Sequence, residues 1–132
     1  VTTEDRFHLG SDTKAMTATL AGMLVEEGKL TWTTTVGELL GPALKAAGLP
    51  PLKPEFGAIT LEQLLSHTSG IPSDTDELYK LYVGTSEFDM SMAARRLAII
   101  AEWGSKNTPK VPEGNPFQYA NLGYMTAGAM IE

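Results

Sequence analysis

Phe7-His8-Leu9-Gly10-Ser11-Asp12-Thr13-Lys14-Ala15-Met16-Thr17 is the stretch on which the reading of this chain turns. Once a helix opens at Ser11, Ser11 and Lys14 stand one turn apart on a shared face. A serine hydroxyl is a poor nucleophile at neutral pH until a neighbouring base takes its proton. A lysine one turn away is such a base if desolvation or a nearby positive charge keeps it neutral. Ser-Lys is an established variant of the serine nucleophile arrangement, so the residue types suit covalent acyl transfer. The bare spacing also fits a plainer reading, an N-cap serine followed by a solvated lysine. Context has to decide between them.

Working outward, Met16, Leu20, Met23 and Leu24 continue the helical spacing, and Gly28 is a fitting stop. Val1 to Gly10 reads as an extended lead-in, with Phe7 and Leu9 alternating about His8 as in a short strand. Thr33 to Leu40 holds a second short helix that Gly41-Pro42 should end, and Pro50, Pro51 and Pro54 make Leu49 to Gly57 a loop. Thr60 and Gln63 have the form of a capping box and start a helix over Leu61 to Leu65. Gly70 and Pro72 then make a turn, and Asp76 to Tyr82 is a further helical turn or two. Met90 to Trp103 is a helix closed by Gly104, and Thr108 to Gln118 is a Pro/Gly loop. A last apolar helix opens at Asn121 or Leu122 and still runs at Glu132, so the chain is expected to be cut rather than finished. The prediction is helix-dominated, with little strand and no repeat.

The chain has 132 residues and a net charge of −6. That is one domain with room for a real core. The negative charge and the scattered basic residues argue against a nucleic-acid partner, and the adjacent Arg95 and Arg96 read as a solvated helix face. With no cysteine there is no thiol nucleophile and no disulfide, and two isolated histidines without an acidic cluster give no metal site. No cofactor is expected. No apolar run is long enough for a membrane span, and the N-terminus lacks a signal-peptide pattern. The compartment stays open.

Tyr119-Ala120-Asn121 falls at the junction of the proline-rich loop and the last helix. A tyrosine there can turn its phenol into a cleft, where a lysine cation would lower its pKa and let it shuttle a proton. Asn121 offers an amide able to bond both a lysine and a substrate carbonyl. Read alone, the same residues are a half-buried aromatic and a helix N-cap.

Four ordered segments together resemble one family: Gly10 to Ala18, Leu24-Val25-Glu26-Glu27-Gly28-Lys29-Leu30, Leu64-Leu65-Ser66-His67-Thr68-Ser69-Gly70-Ile71-Pro72, and Pro112-Glu113-Gly114 with Phe117 to Tyr124. The chain is similar, over essentially its whole length, to the serine β-lactamase-related family. That family includes class C β-lactamases, low-molecular-weight penicillin-binding DD-peptidases, D-aminopeptidases and family VIII esterases. The resemblance implies that Ser11 is the acylated nucleophile at the start of the central helix, its N–H half of an oxyanion hole. It implies Lys14 as the base partner, Tyr119 as a sharer of proton transfer, and Asn121 as the amide contacting Lys14 and substrate. His67 reads as structural, pinning a turn by side-chain-to-backbone bonds, and His8 as a bystander.

The resemblance implies an α+β fold, the β-lactamase/transpeptidase-like sandwich with an inserted helical lobe. Residues 1–132 would be a partial domain: nucleophile helix 11–28, helical lobe 29–115, and Tyr-x-Asn segment with the following helix 116–132. The family's third motif, Lys-Thr-Gly or His-x-Gly in form, does not follow Asn121 here, and nearly the whole sheet is missing. Apolar surface on the nucleophile helix should therefore stand exposed, inviting self-association or a complementing sheet segment. The isolated chain should have little or no hydrolase activity. The expected partners are small substrates: a carboxylic ester, a β-lactam or a D-amino-acid peptide. Leu49 to Gly57 and Asp74 to Asp89 are expected to line the site's rim. The competing reading is a non-catalytic binding or assembly module that reuses the fold.

Overall fold

The computed structural model describes residues 1–84 and 89–132. Helix α1 (Thr13–Glu26) follows a 3-10 turn over Gly10–Asp12; α2 is Val36–Ala46, α3 Pro54–Gly57, α4 Leu61–Leu65, α5 Asp76–Gly84, α6 Met92–Gly104 and α7 Asn121–Ile131. Among the described residues the only β-type pairing is an isolated antiparallel bridge between Thr35 and Thr60. The structure is thus the helix-rich, strand-poor architecture expected of the family's helical lobe together with its central helix.

Helix α7 organises the rest, packing against α1, α2, α4 and α6. Its Leu122 and Ala127 are fully buried with Leu40 and Leu44 of α2, Leu61 and Leu64 of α4, and Ile100 and Trp103 of α6. Each such leucine contributes about 1.5–3 kcal/mol by leaving water. Gly104 ends α6 where an added Cβ would lie 2.8 Å from Leu52 Cδ2 and 3.1 Å from the Phe56 ring. Phe56 in turn stacks at a tilt on Trp103, ring centroids 5.6 Å apart.

Several local expectations are corrected. Val1 to Gly10 forms no strand and is exposed throughout, because no neighbouring strand among the described residues offers ladder hydrogen bonds. The second helix starts later and runs past Gly41-Pro42 to Ala46. A capping box between Thr35 and Glu38 starts it, and buried Leu40 and Leu44 on either side of Pro42 hold it against the proline penalty of about 3 kcal/mol. Inside the expected loop, Pro54 takes the first position of a one-turn helix, where its missing N–H costs nothing. Arg95 is half-buried rather than solvated, donating from Nη2 to the Tyr82 carbonyl at 2.6 Å and tying α6 to α5. Arg96 pairs with Glu132.

Helix α1 is the exception to good burial. Only Ala21 is buried along it, whereas Met16 is 58% exposed, Leu20 45% and Met23 51%. These three recur at helical spacing and form one apolar stripe, as the sequence led us to expect.

Candidate active site

Ser11 lies in the 3-10 turn that leads into α1, and Lys14 in the first turn of α1 itself. The Lys14 ammonium donates to Ser11 Oγ at 3.1 Å and, on its other side, to Asn121 Oδ1 at 2.6 Å. The Tyr119 hydroxyl donates to Ser11 Oγ at 2.7 Å, from a residue 108 positions away. Lys14 Nζ also stands 4.8 Å from the Tyr119 ring centroid and 5.7 Å from that of Tyr124. All four residues singled out from the sequence therefore meet in one hydrogen-bonded cluster.

Its electrostatics follow from that contact. The Lys14 ammonium first, and then the hydrogen bond to Ser11, hold the Tyr119 phenol below its ordinary pKa, against the opposing effects of desolvation and the Asp74 charge. Loss of the phenol proton is thereby made easier at the atom that already touches the serine.

The 66–74 segment holds the cluster in place. His67 has a left-handed backbone, φ 59°, which is uncommon for a side-chain-bearing residue. Its carbonyl accepts from the Gln118 N–H at 2.7 Å and its Nδ1 accepts from the Ala120 N–H at 3.1 Å. Its ring lies 4.6 Å from that of Tyr119 and 5.0 Å from that of Tyr124. Burial, and then the nearby Lys14 charge, push His67 below the usual histidine pKa, so the unprotonated Nδ1 that this bond needs is favoured. Gly70 has φ 75°, and a Cβ there would come within 2.7 Å of Val111 N. That close approach lets Gly70 O accept from Lys110 N–H at 2.9 Å and seats the proline-rich loop. Ser73 Oγ donates to the Tyr119 carbonyl at 2.7 Å.

Sequence reasoning named Asp74 only as a rim position. Its Oδ2 accepts from Asn121 Nδ2 at 2.6 Å and its Oδ1 from the Tyr82 hydroxyl at 3.2 Å. No local signal could pair residues 47 positions apart. Asn121 is the first residue of α7 and not its cap; that place belongs to Ala120, which leaves the Asn121 amide free for Lys14 and Asp74. The expected rim over Leu49 to Gly57 is corrected: Leu49, Pro51, Leu52, Lys53, Pro54 and Gly57 line a separate cavity of about 690 Å³ against α2, and no member of the cluster lines it. We take the hydrogen-bonded cluster as the candidate site, since chemistry needs reacting groups in contact and that cavity offers only two lysines among apolar walls. Positions 85–88 of the other expected rim lie outside the described residues. His8 is exposed on the lead-in. Among the described residues no group of three or more His, Cys, Asp or Glu could hold a metal ion, and no helix is long and apolar enough to cross a membrane.

Ser11 thus stands just before α1, in contact with both Lys14 and Tyr119. The chain belongs to the Beta-lactamase family, whose model matches residues 1–132. It is 32% identical to penicillin-binding protein 4 of Amycolatopsis lactamdurans, over 100% of this chain and 30% of that protein. It is 33% identical to the probable fimbrial assembly protein FimD, serogroup H1, of Dichelobacter nodosus, over 96% of this chain and 29% of that protein. It is 27% identical to the unguisins hydrolase ungD' of Aspergillus campestris, over 100% of this chain and 23% of that protein. The chain thus spans under a third of the length of these relatives. No solved structure matches it significantly.

Proposed function

We propose that this chain carries the acylation centre of a serine hydrolase that works through an acyl-enzyme on Ser11. The observation that carries the reading is the double contact at Ser11 Oγ, with Lys14 at 3.1 Å and Tyr119 at 2.7 Å. In the proposed cycle the Tyr119 hydroxyl first gives up its proton to solvent, and the phenolate, stabilised by the Lys14 ammonium, takes the serine hydroxyl proton as Ser11 Oγ attacks the substrate carbonyl. The bond from carbonyl carbon to leaving group then breaks, and the leaving group receives that proton back from Tyr119. Water attacks the acyl-serine by the same route and releases the acid. The Ser11 N–H, one of the free donors of the first helical turn, supplies half of an oxyanion site. The Asn121 amide bonds the substrate carbonyl side. The proposed substrates are carboxylic esters, β-lactams or D-amino-acid peptides; the names of two relatives, a penicillin-binding protein and a hydrolase, support penicillin-type ligands and hydrolysis within that range.

The test is an intact-mass spectrum after incubation with a fluorophosphonate or penicillin probe. One adduct, mapping to Ser11 and lost in Ser11→Ala, is the expected result. A folded chain that takes up no probe overturns the reading for this chain. Turnover of an activated ester is expected to be weak in the isolated chain, because the third motif and the second oxyanion donor are not in this sequence.

A second reading, an assembly module that reuses the fold, has one specific support: the fimbrial assembly names among the relatives at 33% identity. The exposed stripe of Met16, Leu20 and Met23 offers such a module a surface, whether for a second copy or for a complementing sheet segment. If that reading is right, sedimentation velocity gives a species heavier than the monomer, Met16→Gln with Leu20→Gln restores the monomer, and Ser11→Ala leaves assembly unchanged. A wild-type chain that sediments as a monomer at all concentrations removes self-assembly.

A further inference from the structure

We propose that Asp74 is a positioning residue for this site, fixing which end of the Asn121 carboxamide faces Lys14; the catalytic consequence rests on the acyl-transfer reading above. The argument starts from what each neighbour can do. An ammonium only donates hydrogen bonds and a carboxylate only accepts them, whereas a carboxamide has one accepting and one donating end. Asn121 stands between the two, with Oδ1 2.6 Å from Lys14 Nζ and Nδ2 2.6 Å from Asp74 Oδ2. Turning the amide over would set its NH2 against the ammonium and its oxygen against the carboxylate, losing two charge-assisted bonds at once. Lys14 and Asp74 together therefore admit one orientation. With Oδ1 and one Nδ2 proton held, the second Nδ2 proton is the one left to donate to a substrate.

Asp74 is itself held from three sides. Ser73 is anchored to the Tyr119 carbonyl at 2.7 Å, and Thr75 Oγ1 accepts from the Leu78 N–H at 3.2 Å at the start of α5. The Tyr82 hydroxyl occupies Asp74 Oδ1 at 3.2 Å, and burial first, then the Asp74 charge, raise the Tyr82 pKa, so that phenol stays a donor. Both carboxylate oxygens thus face side chains rather than the first turn of α5, which sets Asp74 apart from an ordinary acidic residue beside a helix start. A polar chain runs Ser11–Lys14–Asn121–Asp74–Tyr82 and ties the site to α5.

The experiment combines a spectroscopic and a chemical readout in the wild type, Asp74→Ala and Asp74→Asn, each checked for folding by circular dichroism. The Asn121 side-chain amide, assigned in ¹⁵N-labelled protein by its disappearance in Asn121→Ala, should give two well-separated proton signals that exchange slowly. In Asp74→Ala they should collapse to those of a free amide, and fluorophosphonate labelling of Ser11 should slow about ten- to hundredfold. Asp74→Asn keeps an acceptor and should retain the separated signals with a smaller loss of rate. Asn121 signals unchanged in Asp74→Ala would overturn the proposal, as would collapsed signals with an unchanged labelling rate. If the wild type is not labelled at all, the acyl-transfer reading fails, and the amide signals alone decide the positioning role.

Discussion

His67 should be worth more to this protein than any role in chemistry would suggest, and replacing it with alanine is the sharpest single test of the architecture. Two losses are direct. The Ala120 N–H that donates to Nδ1 at 3.1 Å belongs to a residue only 1% exposed. Left unpaired in that setting it costs about 1–3 kcal/mol. The ring contacts to Tyr119 and Tyr124, at 4.6 and 5.0 Å, disappear as well. Each such pair contributes about 0.5–1.5 kcal/mol. Together the expected loss is about 3 kcal/mol, or roughly 10 °C in Tm for a domain of this size. His67→Gly should lose about 1 kcal/mol less than His67→Ala, because glycine carries no penalty at the left-handed φ of 59°.

The same residue predicts a pH dependence with a definite sign. In the folded chain its pKa is lowered, by burial and then by Lys14, whereas the unfolded chain titrates near the ordinary histidine value of 6.5. As pH falls below about 6.5 the unfolded state takes up a proton before the folded state does, so stability falls with pH. The contribution is fully present above that value and is lost as pH drops toward the lowered one. Urea melts from pH 8 to 5 on wild type and His67→Ala check this, at roughly half-unit steps. A variant within about 0.5 kcal/mol of wild type at pH 7.5, or one that keeps the full wild-type slope, refutes the pinning role.

Three further outcomes follow from the geometry. Gly70→Ala, with φ 75° and a Cβ aimed 2.7 Å from Val111 N, should destabilise by at least about 2 kcal/mol, read by urea denaturation. In a spectrophotometric titration Tyr119 should ionise ahead of an ordinary phenol while Tyr124 and Tyr82 ionise after it, and the early phase should vanish in Tyr119→Phe. Labelling of Ser11 should rise with pH through that early phase in wild type and stay flat in Tyr119→Phe.

What could be read from the sequence divides by range of interaction. Ser11 and Lys14 were legible because one helical turn brings them together, and Thr60 with Gln63 because a capping box is closed within four residues. Thr35 and Glu38 form the same box, yet Gly41-Pro42 misled the reading of that helix. Punctuation is a local signal, and the burial of Leu40 and Leu44 that overrides it is not. Asp74, the half-buried Arg95 and the cavity between α2 and the 48–57 loop were illegible for the same reason. Each exists only after segments far apart in sequence have packed.

Helix α7 unites the two levels. Its first residue, Asn121, bonds Lys14 and Asp74, and its second, Leu122, is fully buried in the core. The peptide joining them leaves no slack, so a shift of the core face of α7 is a shift of the amide that orients Lys14. The 66–74 segment works in the same way from the other side. His67 and Ser73 bond the backbone of the Tyr119-Ala120 pair, while Ile71 between them is fully buried. Packing and site geometry are therefore one set of interactions in this lobe. A core substitution that leaves the chain folded but displaces α7 should be felt at Ser11 before it is felt in secondary structure.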